Sequence, residues 1–303
     1  MSNSAQRPII LALGLTLGAP AVLYSGILGA LGFAQTFNFR LLKENPDARL
    51  MAPDSYRSLY SADPVNTHVL AFDYRGHGKS TGHPSEAGVI TDALAVADWA
   101  INTTSIPPER IVIFGQSLGS AVAIALVNEL AQRQPSVHFA GLVVTAIFQG
   151  IPQLTATYRI GGFIPVLSPV ARIRPLFRFS QRLTSKWDNF RRLGEFVKEA
   201  ESYDITLLHA EDDTDIPMEN SVKLYREAVR VAENAKNVTE DKEALLERID
   251  RLKESRGEGG SITVWPTGKG DIRLEILKYR VHDKIMSYPA TGLAISRAFK
   301  SVR

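Results

Sequence analysis

Apolar runs separated by polar, turn-prone segments divide the chain into alternating strand and helix candidates. Val69-Leu70-Ala71-Phe72-Asp73-Tyr74 and the stretches 110–114, 205–210 and 261–265 are short, rich in β-branched and aromatic residues, and bounded by turn formers, which predicts strands. His68 and His138 each open a predicted strand. Between these, Ser85 and Glu86 begin an amphipathic run through Ala93, Val96, Ala97 and Ile101, and residues 121–130 are rich in helix formers. Strand and helix in alternation predict an α/β fold, a mostly parallel sheet with helices on its faces.

The longest apolar run lies at the N-terminus. No charged residue occurs from Pro8 to Phe39, and residues 9–34 are almost wholly apolar, with Arg7 on one side and Arg40 and Lys43 on the other. About 20 apolar residues suffice to cross a bilayer, so the run predicts a single-pass membrane anchor over 1–40, in the endoplasmic reticulum or another endomembrane, followed by one domain over 41–303. Within that domain, residues 159–182 mix arginines with large apolar side chains. Such a stretch suits an acyl chain with an anionic headgroup or a membrane surface, or packs its apolar face on the core. Residues 227–258 alternate charges around Leu245, Leu246, Ile249 and Leu252 and predict an exposed, charged helical insertion ending at Gly257, Gly259 and Gly260.

Composition narrows the function. With 45% apolar and 22% charged residues and a net charge of +3 over 303 residues, the chain is an ordinary globular one and carries no electrostatic footprint for nucleic acid. It contains no cysteine, no His-x-x-x-His spacing and no glycine-rich phosphate loop, so neither a metal, a nucleotide nor any other cofactor is expected.

The candidate chemistry centres on Gly115-Gln116-Ser117-Leu118-Gly119. A serine between two glycines, after a strand and before a helix, is how a chain exposes a nucleophile on a strained turn. A serine hydroxyl needs a histidine to take its proton and a carboxylate to orient that histidine, in the chain order Ser, Asp, His. The predicted strand 205–210 runs into Glu211-Asp212-Asp213-Thr214-Asp215; Asp213 is the candidate acid, with Asp212 and Asp215 as rivals. Beyond this loop stands a single histidine, His282, the candidate base, following the predicted final strand 261–265. His77 and His83 precede the serine, and His209 lies inside a predicted strand, where a buried, hydrogen-bonded imidazole is the ordinary outcome.

Taken together, Phe72-Asp73-Tyr74-Arg75-Gly76-His77-Gly78-Lys79-Ser80, Gly115-Gln116-Ser117-Leu118-Gly119, His209-Ala210-Glu211-Asp212-Asp213 and Tyr279-Arg280-Val281-His282 resemble the α/β-hydrolase superfamily, and more narrowly its membrane-anchored lysophospholipid and monoacylglycerol lipases. The resemblance covers about residues 50–300 and implies a cap insertion over about 150–200, where the stretch 159–182 lies. It implies Ser117 as nucleophile, Asp213 as acid, His282 as base, and hydrolysis of a lipid ester through an acyl-enzyme. Rival expectations are the same triad acting on thioesters or peptides, and a truncated, inactive membrane protein using the fold as an interaction surface.

One departure carries a structural expectation. The family's strand ending in a His-Gly loop, which supplies one of two oxyanion-hole N–H groups, is not found between Arg40 and His68, where there is no glycine and no adequate apolar run. The join at Leu50-Met51 reads as a deletion, from a splice variant or a gene-model error. The central ladder is therefore expected to be lost, with the backbone N–H of Leu118 left as the remaining oxyanion donor.

Overall fold

A computed structural model describes residues 67–151, 153, 186–234, 242–279, 281–282 and 284–300, together with the backbone of 9–14. Its strands are β1 (Ile9–Gly14), β2 (His68–Leu70), β3 (Ile111–Gln116), β4 (Gly141–Thr145), β5 (Tyr203–Ala210), β6 (Lys253–Ser255), β7 (Ser261–Thr267) and β8 (Gly270–Leu277). They form one sheet in the order β2-β1-β3-β4-β5-β8-β7-β6, parallel from β2 to β8 and antiparallel across the β8–β7 and β7–β6 pairs. The helices are α1 (Glu86–Asp98), α2 (Leu118–Ala131), α3 (Asn189–Glu199), α4 (Glu219–Asn234), α5 (Lys242–Arg251) and α6 (Pro289–Lys300).

Period-2 alternation sends successive strand residues to opposite cores. Ile111, Ile113, Leu142, Val144, Ile205 and Leu207 pack with α1, α2, α3 and α4 on one face. Val112, Phe114, Val143, Leu208 and Ala210 pack with Ala294, Ile295 and Ala298 of α6 on the other. Because both faces are covered, β3, β4 and β5 are buried along their whole length and are mostly apolar on both faces. Helix α2 is apolar nearly all round, as its place between the sheet, α1 and α3 requires.

Three expectations change here. Residues 9–14, the start of the predicted membrane anchor, are instead the strand β1, and an extended backbone cannot also be the first turns of a spanning helix. An uncharged run of Ile, Leu and Ala fits a strand buried on both faces as well as it fits lipid, and only the pairing decides. The rest of the predicted anchor lies outside the described residues, and among the described residues no helix is long and apolar enough to cross a membrane. Second, the central ladder is not lost. β1 lies between β2 and β3, pairing Ile9 with Ile111 through to Gly14 with Gln116.

Third, the final strand is not 261–265 but β8. The sequence Thr267-Gly268-Lys269-Gly270 makes a two-residue hairpin turn, with Thr267 paired to Gly270. Gly270 has φ +138°, and a Cβ there would lie 1.7 Å from the Tyr203 carbonyl oxygen, so glycine lets β8 start flush against β5. Arg273 Nη1 then reaches back to both carboxylate oxygens of Asp204, at 2.8 and 2.9 Å. The described part of 227–258 comprises the end of α4, α5, β6 and a 3-10 turn, Gly257–Gly259. Of the expected cap, residues 154–185 lie outside the described residues, and α3 packs against α2 and α4.

Candidate active site

The turn between β3 and α2 puts Ser117 at φ 53° and ψ −119°, a positive-φ conformation that costs a non-glycine residue about 1–3 kcal/mol. Neighbouring groups hold it there. The Ser117 N–H donates to Thr145 O at 3.0 Å, and the Ser120 hydroxyl is shared between Thr145 O (2.8 Å) and Gly115 O (3.0 Å), which ties the turn to β4. A Cβ on Gly115 would lie 2.3 Å from Gly119 O, so the helix can start this close to the strand only over glycine.

At the end of β5, the Asp213 N–H donates to Ala210 O and the Glu211 N–H to Leu277 O, continuing the β5–β8 ladder into the acidic loop. Asp213 Oδ1 accepts the backbone N–H groups of Asp215 (3.0 Å) and Ile216 (2.9 Å), which aims Oδ2 at His282. His282 Nδ1 lies 2.9 Å from Asp213 Oδ2, and His282 Nε2 lies 3.1 Å from Ser117 Oγ. All three residues are buried, each no more than 6% exposed. In this series Nδ1–H donates to the carboxylate and Nε2 accepts from the hydroxyl, the tautomer that can take a proton from serine.

Of the two rival acids, Asp212 does not meet the imidazole. Its Oδ1 accepts the backbone N–H of Val281 at 2.9 Å. Asp215 contributes its backbone N–H to Asp213. His209 is buried, as a histidine inside a strand should be, but its neighbourhood was not legible beforehand. Its Nδ1 lies 2.6 Å from Ser221 Oγ of α4, and its Nε2 lies 2.8 Å from Ile216 O and 3.2 Å from Asp213 Oδ2. Burial alone would raise the Asp213 pKa; hydrogen bonds from His209 and then His282 outweigh it and hold the carboxyl far below its ordinary 3.8. The His209-x-x-x-Asp213 spacing was the available signal, since a loop this tight folds back on the strand it leaves.

Leu118 is the first residue of α2, so its N–H is among those without an intrahelical partner, beside Ser117 at the positive end of the helix. β1 ends at Gly14, paired with Gln116, one residue short of Ser117 in the ladder. His77 is elsewhere, with Nδ1 3.2 Å from Arg75 O. Among the described residues no group of His, Asp and Glu is arranged to hold a metal ion.

The sequence model of the Alpha/beta hydrolase family matches residues 34–257. The chain belongs to that family. The match takes in Ser117 and Asp213 and stops before His282. Among curated relatives of this hydrolase, Lysophosphatidylserine lipase ABHD12 of Bos taurus is 36% identical over 160 residues, 52% of this chain and 37% of that protein. Protein ABHD12B of Homo sapiens is 33% identical over 174 residues, 56% of this chain and 45% of its own. The aligned stretch thus spans less than half the length of these relatives. Among solved structures, TT1662 from Thermus thermophilus overlaps with a TM-score of 0.49 at 15% identity, covering 98% of this chain and 91% of that one.

Proposed function

We propose that the protein is a serine hydrolase of lipid esters, with lysophospholipids or monoacylglycerols as the substrate class. The observation that carries this reading is the buried series from Ser117 Oγ through His282 to Asp213, at 3.1 and 2.9 Å. Ser117 passes its proton to His282 Nε2 as Oγ attacks the ester carbonyl. The developing oxyanion takes the Leu118 N–H. Collapse expels the alcohol, glyceryl or lysophospholipid headgroup, which leaves with the proton from His282. Water then attacks the acyl-serine, gives its proton to His282, and releases the fatty acid with Ser117 restored.

Asp213 stays ionised throughout, because its hydrogen bonds keep its pKa depressed, and it stabilises the imidazolium that forms in each half-reaction. Two further features favour lipid substrates over thioesters or peptides. The aligned relative from Bos taurus carries the name of a lysophosphatidylserine lipase. The uncharged, largely apolar sequence 15–39 also suits an acyl chain or a membrane surface.

The test is to express the full chain with membranes and label it with a fluorophosphonate, alongside Ser117→Ala. Fatty-acid release from lysophosphatidylserine and monoacylglycerol is then compared with turnover of an acyl thioester and a peptide. Ser117-dependent labelling with release from the glycerolipids is the expected result. A folded chain that does not label would make it a disabled hydrolase-fold protein, and carbonate extraction of the membranes would report separately on whether it is anchored.

A further inference from the structure

His282 sits on a short loop between the end of β8 at Leu277 and a 3-10 turn, Ile285–Ser287. Its neighbours are not core residues: Tyr279 is 56% and Val281 41% exposed. A loop with so little apolar packing is drawn from the low-stability end of a structure, yet proton transfer needs the imidazole held to within about 0.5 Å. Something other than packing has to fix it.

Side chains from two distant segments reach the backbone of Val281 and His282. Gln116 Nε2 donates to His282 O at 2.8 Å, in a buried position. Asp212 Oδ1 accepts the Val281 N–H at 2.9 Å. Gln116 immediately precedes Ser117, and Asp212 immediately precedes Asp213. The two groups therefore grip both ends of the Val281–His282 unit from the residues next to the other two members of the series. Alternation along β3 places Gln116 on the same face as Val112 and Phe114, the face that α6 covers.

We propose that Gln116 and Asp212 are positioning residues that clamp the His282 backbone, so that the serine turn and the acid loop each set the place of the imidazole. This rests on the proposed role of Ser117, Asp213 and His282. Each residue acts through hydrogen bonding of a stated polarity, which separates it from a space-filling one. Gln116 must donate, and Asp212 must accept.

The experiment uses the full chain and compares Gln116→Leu, Gln116→Glu, Asp212→Ala and Asp212→Asn with wild type. Readouts are fluorophosphonate labelling rate, kcat and KM on a soluble ester, melting temperature, and amide hydrogen exchange at Val281 and His282. Gln116→Leu and Asp212→Ala are expected to slow labelling and kcat about 10- to 100-fold, the scale of a 1 Å misplacement. KM should hold, melting temperature should fall by no more than the few degrees that one lost hydrogen bond costs, and Val281 exchange should accelerate in Asp212→Ala. Asp212→Asn keeps the acceptor and should stay near wild type; Gln116→Glu removes the donor and should not. Wild-type labelling in all four variants, or losses that track melting temperature, would overturn the clamp. If folded wild type does not label at all, the proposed function fails while exchange at Val281 still decides the clamp: faster in Asp212→Ala supports it, unchanged overturns it.

Discussion

His209 Nε2 lies 3.2 Å from Asp213 Oδ2, the same oxygen that His282 Nδ1 approaches at 2.9 Å, so two imidazoles share one acid. Asp213 has a depressed pKa in the folded chain, so it binds fewer protons there than when unfolded. Its contribution to stability is full above the ordinary carboxylate value of 3.8 and is lost as pH falls below it toward the folded value. Replacing His209 by Leu removes one of the two imidazole contacts that hold the Asp213 pKa down and leaves Ser221 Oγ and Ile216 O short of a partner. Stability should fall by about 1–3 kcal/mol at neutral pH, and its dependence on pH in the acid range should flatten. Urea unfolding at several pH values measures both, and a pH slope equal to wild type would sink this account of Asp213.

Asp213→Asn should leave the fold in place and lower kcat by roughly 10⁴-fold, because an amide that donates toward Nδ1 favours the wrong imidazole tautomer. The fluorophosphonate labelling rate measures this. A loss of less than tenfold would show that Asp213 does not orient His282.

Gly115→Ala places a methyl group 2.3 Å from Gly119 O, a backbone atom with no rotamer to escape into. The serine turn must shift, at a cost of at least about 1–3 kcal/mol. Thermal unfolding should move down, and labelling should fall even in the molecules that remain folded.

Ala12→Pro tests β1. Ala12 pairs with Phe114 in the interior of the sheet, where proline is not accommodated. Losing a ladder bond and opening the β1–β3 seam should cost about 1–3 kcal/mol or more, read as a lower unfolding midpoint. Unchanged stability would mean that residues 9–14 are not needed for the sheet.

What the sequence disclosed was what local pattern controls. Strand, glycine-flanked serine and helix are consecutive in the chain, so the turn at Ser117 could be read without knowing any partner. Chain order nominated His282 and, ahead of its rivals Asp212 and Asp215, Asp213; the hydrogen bonds of the loop that turn one carboxylate toward the imidazole leave no mark in local pattern. β8 carried a strand signal that was passed over, since Ile272, Leu274 and Ile276 alternate with Arg273 and Glu275, whose charges are met by Asp204 and Arg297. β1 was misread because a bilayer and the middle of a parallel sheet make the same demand on a segment, that every exposed side be apolar and every polar backbone group be paired. The clamp on His282 left no trace in pattern, since both partners are distant in sequence.

The eight rungs between β5 and β8 run from Tyr203–Gly270 to Ala210–Leu277, and the acid and histidine loops begin where the rungs end. The ladder therefore works as a ruler laid from the far edge of the molecule to the reacting groups. A slip of one residue at its zero mark, where Gly270 meets Tyr203, would carry undiminished to the other end and turn each side chain of β8 to the opposite face. Insertions in the Gly268-Lys269 turn can be absorbed as a longer loop, whereas a side chain at Gly270 cannot. The end of the ladder opposite the acid and histidine loops is thus where the spacing of those loops is calibrated.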